Sequence, residues 1–372
     1  MGDDPRRRGQ RGTLDLDASK TTNLRSVAVP PSTFVQPGAT GRRPDGLSVL
    51  AEHEQAIRQP RRAPHALAVA RNPGDRIFRW VTTAFAALVI LTLLLMLSVL
   101  MKQSWLSVST FGSTFLTRDT WNPVLNIYGA RPAILGTLYT SFVALLLAGA
   151  VGILVAIFLT EMAPLRIRRS LGFLVELLGA VPSIVYGLWA LFVLVPLVRD
   201  YIQPFLVNHF GNTPFFSGYP LGLGVFTASL ILAIMILPTI ASISRDVLAA
   251  VPNAQREAML ALGATRWEAT WKVVIPYARS GIIGSLILAL GRAIGETMAV
   301  QMVIGNTLTI SASLFNLGTT MPATLVTQFS EATGDLYTSA LMEIGLILLV
   351  LTVLINAAAR LLVWSVTRRY RA

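Results

Sequence analysis

Residues 257–306 read EAMLALGATRWEATWKVVIPYARSGIIGSLILALGRAIGETMAVQMVIGN. The first twenty are polar, with Glu257, Arg266, Glu268 and Lys272 set among Trp267 and Trp271, divided by Gly263 and closed by Pro276. The rest of the stretch is apolar, and between Arg279 and Asn306 its only charges are Arg292 and Glu296. A run of roughly 20 apolar residues is long enough to cross a bilayer as a helix. An arginine in mid-span costs about 2.5–3.5 kcal/mol even on the lenient insertion scale, so Arg292 must face protein or water. The spacing predicts one helix over 275–304, with Arg292 and Glu296 at i,i+4 on a shared face.

Working outward, the chain has 372 residues, 53% of them hydrophobic and 13% charged, with a mean hydropathy of +0.60. Soluble domains carry about 25% charged residues. Several further windows are almost purely apolar and helical rather than alternating, which argues against a barrel. The sequence therefore predicts an all-α integral membrane protein with six spans, at about 78–101, 134–159, 171–198, 221–243, 275–304 and 337–363. Cysteine is absent, which excludes disulfides, thiol catalysis and thiolate metal sites. His53, His65 and His209 have no metal-ligand spacing, so no metal site is expected. The net charge of +12 reads as basic loops on one membrane side rather than nucleic-acid binding.

Residues 1–72 are rich in Arg, Pro, Gly, Asp and Ser without apolar periodicity and are expected to be a disordered basic tail that can touch anionic lipid. The stretch 73–80, PGDRIFRW, reads as a short interfacial helix. The first span and its following loop make up residues 73–133, and a core of five spans occupies 134–363, leaving 364–372 as the C-terminal end. In the span expected over 171–198, Pro182 kinks or breaks the helix, either as plain packing or because the helix lines a path. Residues 199–220 are expected to be a loop. Six spans place both termini on one side. After residue 80, the loops of that side and the chain end hold 12 Lys and Arg against 4 on the other, so that side is expected to be cytoplasmic.

The segment 244–274 is too long for a plain connector. Pro252-Asn253 signals a helix start, Gly263 breaks that helix, and the run from Thr265 resumes it as far as Pro276. A bent elbow on the membrane surface is expected, with Trp267 and Trp271 on one face. Small residues around the bend, Ala264 among them, leave room for another protein's groove; the other reading is an amphipathic connector resting on lipid.

Here the residues carry a resemblance. Glu257-Ala258, Gly263 after them, then Val273, Ile275 and Pro276, resemble the EAA motif of ABC importer permeases, with Met259, Val273 and Ile275 as mild departures. LGRAIGETMAVQMVIGN (290–306), ELLGAVPSIVYGLWALFVLVPL (176–197) and WNP…YGARPAILGTL (121–138) resemble the PstC-type permeases of bacterial phosphate importers over roughly residues 75–370. The resemblance implies a type I ABC importer permease fold. It implies that Glu257, Ala258, Gly263, Ala264, Trp267 and Pro276 form the coupling elbow for a separate ATPase. The partners it implies are a PstA-like second permease, a PstB-like ATPase dimer and a PstS-like external phosphate-binding protein. ATP and Mg would be used by the ATPase and no cofactor bound by this chain.

For the solute, two readings of Arg292 and Glu296 stand: a structural clasp, or an arginine offering its donor fork to a dianionic phosphate while Glu296 holds it and limits dwell time. Thr297, Ser183, Tyr186 and Asn306 are further candidates for the path. Glu176 and Glu343 read as clasps or coupling groups, because carboxylates repel an anion. No G-x-x-x-x-G-K-[ST] phosphate loop is present, so an energy source outside the chain is expected. A permease for molybdate or sulfate would keep the elbow without the GRAIGETMAV run. A secondary transporter would work alone in a proton gradient, and a membrane-embedded enzyme would need a nucleophile–base or metal set that the spans lack.

Overall fold

A computed structural model describes residues 73–211 and 213–368. The tail over 1–72 lies outside the described residues. The element order is α1 (Pro73–Phe111), the short α2 (Thr114–Thr117), α3 (Arg131–Met162), α4 (Leu165–Ala180), α5 (Ser183–Phe210), α6 (Val225–Ala249), α7 (Asn253–Ala261), α8 (Arg266–Ile294), α9 (Met298–Ile304), α10 (Met321–Phe329) and α11 (Asp335–Arg368). Among the described residues there are no strands beyond an isolated bridge, Asn122 to Ile127. Six helices, α1, α3, α5, α6, α8 and α11, are long and apolar enough to span a membrane. The protein is an all-α, multi-pass membrane protein.

The bundle is built on α6, whose most apolar window is 61% buried, against 39% or less in the other spans. Its inner face, including Ile231, Met235, Ile236 and Ile240, packs on Ala144 and Ala148 of α3 and Ala289 and Ala293 of α8. Small residues let these backbones approach, as membrane bundles require in the absence of a hydrophobic force between helices. By contrast, none of the apolar window of α1 is buried, which suits a helix facing lipid. Its C-terminal end is fastened by hydrogen bonds: the Ser107 amide donates to Ser339 Oγ of α11 (2.9 Å), and Ser339 Oγ donates to the Gln103 carbonyl (2.8 Å). Glu343, also of α11, is buried beside Ser107.

Several boundaries differ from those expected, and proline accounts for most. The stretch 73–80 is not a separate interfacial helix; it is the first two turns of α1. The expected span over 171–198 is two elements. Pro182 forces Val181 into an extended conformation (ψ 131°), so α4 ends at Ala180 and a new helix starts at Ser183. At 16 residues α4 is too short to span. The real third span, α5, runs on to Phe210 through residues expected to be loop. Arg199 and Asp200 pair with each other inside it (2.7 Å), which softens the cost of two charges near the end of a span.

Four other prolines do not break their helices: Pro238 lies inside the continuous α6 with no π turn before it, and the other three share a device. Pro196, Pro204 and Pro276 each follow by two residues a single π-helical turn, at Ala190–Leu194, Val198–Ile202 and Thr270–Val274. A π turn widens the backbone just where the proline ring would strike a carbonyl one turn back. Consequently Pro276 does not end the elbow, and the elbow's second arm is the first part of α8. The expected helix over 275–304 also divides: α8 stops at Ile294, and α9 starts at Met298 after a break at Gly295–Thr297.

Candidate functional site

Two regions of the fold hold the residues singled out from the sequence. In the first, α7 ends in a Schellman motif: the Gly263 amide donates to the Leu260 carbonyl (3.0 Å) and the Ala264 amide to the Met259 carbonyl (3.1 Å). Gly263 has φ +85° with open space around its α-carbon, so the demand for glycine there is conformational rather than steric. Two residues on, Thr265 caps α8 with a capping box: its Oγ1 accepts from the Glu268 amide (3.2 Å), and Glu268 Oε2 accepts from the Thr265 amide (2.9 Å). The bend is therefore set by local bonds on both sides. Glu257, Ala258, Gly263, Trp267 and Pro276 are exposed and Ala264 is half-buried. Leu262 is 84% exposed, and Trp267 and Trp271 meet edge to face at 5.5 Å. Gly263→Ala should cost the bend about 1–2 kcal/mol, the penalty of a left-handed non-glycine residue. Faster amide hydrogen exchange at Gly263 and Ala264 would show it; unchanged exchange would deny the motif its part in holding the bend.

The residue that joins this elbow to the bundle was not among those singled out. Arg256, one position before the EAA-like run, has all five guanidinium donors satisfied. Its Nη2 donates to Glu161 Oε1 (2.9 Å) and the Leu248 carbonyl (2.8 Å), and its Nε to Glu161 Oε2 (3.3 Å). Its Nη1 donates to the Val251 carbonyl (2.5 Å) and Asn253 Oδ1 (3.1 Å). Both side chains of the Arg256–Glu161 pair are largely buried. The pair links the last turn of α3, the end of α6 and the start of α7, beneath which Leu248, Val251, Val274 and Ala278 pack together. A charge flanking the motif, with a lone acid at the end of an earlier span, was the available sequence signal. Glu176 bonds Arg245 of α6 (2.8 Å), tying α4 to the same end of the bundle.

In the second region, Arg292 lies two residues before the end of α8 and its side chain is exposed on the surface of the single chain. The apolar run continues past the end of α8 through α9 to Ile304, so Arg292 stands inside it, and an arginine at that depth does not face hydrocarbon; this face of the subunit meets protein or water. Tyr186 of α5 is within electrostatic reach of Arg292. The approach of α5 to α9 is close, because a Cβ on Gly187 would stand 2.6 Å from Met302 Sδ and 3.0 Å from Ala299 Cα. The Tyr186 hydroxyl donates to the Leu178 carbonyl (2.7 Å), bridging the Pro182 break. Ser183 opens α5 on the same side of that break and is half-buried.

The expected Arg292–Glu296 pair on one helix is not formed. The helix ends between the two residues, no ion pair joins them among the described residues, and Glu296 Oε1 instead accepts from the Ala299 amide (3.3 Å), capping α9. Thr297 sits in the break with Oγ1 donating to the Gly295 carbonyl (3.3 Å). Asn306 is not brought to Arg292. It follows Gly305 at the far end of α9, about 10 Å along by helix rise, and its Nδ2 caps the Gln301 carbonyl (2.9 Å). Irregular backbone at membrane depth is tolerated where it lines a cavity or is buried in protein, and two such breaks, at Val181–Pro182 and Gly295–Thr297, flank Arg292 and Tyr186.

With this geometry in place, comparison with known proteins gives the class. Residues 148–371 match the family described as binding-protein-dependent transport system inner membrane component. The phosphate transport system permease protein PstC of Pasteurella multocida is 48% identical over 299 residues, which is 79% of this chain and 93% of that protein. PstC of Mesorhizobium japonicum is 49% identical over 299 residues (79% and 91%), and that of Haemophilus influenzae 46% over 293 residues (78% and 93%). Among solved structures, a bacterial alginate ABC transporter, in complex with an alginate pentasaccharide-bound periplasmic protein, matches with a TM-score of 0.51 at 17% identity. The match covers 77% of this chain and 94% of that one. The fold is that of a type I ABC importer permease. The chain belongs to the family of binding-protein-dependent transport system inner membrane components, in its branch of PstC phosphate permeases.

Proposed function

We propose that this chain is one permease subunit of an ATP-driven importer of inorganic phosphate. The observation that carries the reading is the exposed Arg292 at a broken mid-membrane helix, on a face that must meet water or a second subunit. That face forms half of a pore, and a PstA-like permease supplies the other half. Arg292 offers its fork of donors to phosphate oxygens, with Tyr186 and Ser183 at the neighbouring break and Thr297 in its own. Glu296 shapes the break rather than clasping the arginine. A site of moderate strength suits transport, since the ion must leave.

The elbow docks into a separate ATPase through Glu257, Ala258, Gly263, Ala264 and Trp267. Because its second arm is the first part of α8, a displacement there passes along a single helix of 29 residues to Arg292. The end bearing the elbow and α4 holds Arg166, Arg168, Arg169, Arg245, Arg256, Arg266 and Lys272 and faces the cytoplasm by the positive-inside rule. This puts the start of α1 and the end of α11 on that side. The loops at the opposite end receive an external phosphate-binding protein. ATP and Mg belong to the ATPase.

The test is phosphate-stimulated ATP hydrolysis by the complex reconstituted with its ATPase, second permease and binding protein. Stimulation by phosphate and not by molybdate or sulfate is expected. Stimulation by another oxyanion alone would reassign the solute while leaving the permease class untouched.

A further inference from the structure

A cavity of about 350 Å³ opens between the last turn of α3, helix α4 and the end of α6, lined by neither the elbow residues nor those around Arg292. Three guanidinium groups, of Arg168, Arg169 and Arg245, line it against the one carboxylate of Glu176. The contrast with Arg256 is informative. Arg256 has every donor satisfied and is a structural fastening. Around the cavity, donors are left over. Arg168 gives Nη2 to the Thr160 carbonyl, but its Nε is buried with no acceptor among the described residues. A buried donor without a partner costs about 1–3 kcal/mol. Arg169 is exposed and makes no salt bridge among the described residues. Arg245 is held by Glu176 (2.8 Å) and Asp246 (3.2 Å) through Nη2, and Nη1 takes no part in these bonds. That Nη1 lies 2.8 Å from where a Cβ would stand on Gly172, so the glycine leaves the guanidinium its place against α4.

A second observation concerns α4 itself. It is a 16-residue helix carrying Arg166, Arg168 and Arg169 in its first two turns, with Leu165 (70%), Phe173 (64%) and Leu177 (53%) exposed. A helix of this kind lies in the membrane interface with its apolar side chains among acyl chains and its arginines at headgroup depth. Phe173 also lines the cavity, so its mouth joins an apolar surface to a cluster of cations.

We propose that this cavity is a binding site for a phosphate group, the headgroup of an anionic phospholipid, clamped by Arg168, Arg169 and Arg245 between α4 and α6. Guanidinium groups with free donors match phosphate oxygens two at a time. The occupant's oxygens accept from the guanidinium donors left over around the cavity and fix α4, whose Leu178 carbonyl holds Tyr186. Free inorganic phosphate has the same chemistry, and the test separates the two sources.

The test uses the full complex in nanodiscs of phosphatidylcholine with and without phosphatidylglycerol. Phosphatidylglycerol retained through delipidation is counted by native mass spectrometry, and thermal stability is measured with added inorganic phosphate. Arg168→Gln is expected to lower retained phosphatidylglycerol about tenfold, the loss of one charge-assisted bond. Arg169→Gln, exposed and outside the structural bonds, should do the same, and it keeps the test valid if Arg168→Gln fails to fold. If the variants leave lipid retention unchanged but abolish a stabilisation by inorganic phosphate in pure phosphatidylcholine, the site stands with free phosphate as occupant. If Arg169→Gln alters neither lipid retention nor stabilisation by phosphate, the proposal is overturned. Neither readout involves transport, so failure here leaves the proposed function intact.

Discussion

Arg292→Gln is expected to lower ATP-driven phosphate uptake by about a hundredfold, with the complex still assembled. The physical reason is the loss of a bidentate, charge-assisted contact, a change on the order of 10- to 100-fold. Glutamine keeps polarity and much of the length, so packing of α8 is preserved: Arg292 is exposed, and among the described residues it bonds no neighbour that the substitution would orphan. The check is uptake in proteoliposomes beside co-purification of the ATPase. Normal uptake by the variant would remove Arg292 from the solute path. Arg292→Lys should be intermediate, because an ammonium keeps the charge but loses the planar fork. By comparison, Glu296→Gln should leave uptake within severalfold of normal, since the Glu296 oxygen that caps α9 survives in the amide.

Arg256→Met should be the most damaging change to the elbow. It leaves Glu161 as an unpaired, largely buried carboxylate, and three further acceptors lose their donor. Breaking one side of such a pair costs about 3–5 kcal/mol, which corresponds to roughly a hundred- to several-thousandfold more local opening. Amide exchange over α7 and the last turn of α3 should rise accordingly. The exposed docking residues are untouched, so the ATPase should still bind, while phosphate moved per ATP hydrolysed falls. The double variant Arg256→Met, Glu161→Gln should recover part of the loss, because the orphan charge is gone. If exchange rates are unchanged in the single variant, the pair is not what holds the elbow to the bundle.

The parts of this fold that were legible in the sequence rest on strong local signals. Long apolar runs identified six spans, and a glycine between two helical patterns identified the bend, because bilayer thickness and φ > 0 each constrain few residues tightly. What was not legible depends on how the backbone absorbs proline. A proline after an apolar stretch reads as a break, yet it breaks the helix at Pro182 and not at Pro196, Pro204 or Pro276, where π turns make room, nor at Pro238, which α6 carries without one. Nothing local in the sequence distinguishes these cases. The i,i+4 spacing of Arg292 and Glu296 suggested a pair, but that inference requires an unbroken helix, and Gly295 ends it. Arg256 and Glu161 lie 95 residues apart, so only tertiary structure pairs them. Of the candidate path residues, Tyr186 lies within electrostatic reach of Arg292, while Asn306 stands at the far end of α9.

The central claim, that this chain conducts inorganic phosphate only when a partner hydrolyses ATP, is tested most directly by radiolabelled phosphate uptake into proteoliposomes. These would contain this chain, its second permease and the ATPase, with the binding protein outside and ATP inside. Uptake should require all four components and internal ATP, and should fall in parallel with Arg292→Gln. Uptake by this chain alone, driven by a proton gradient without ATP, would contradict it.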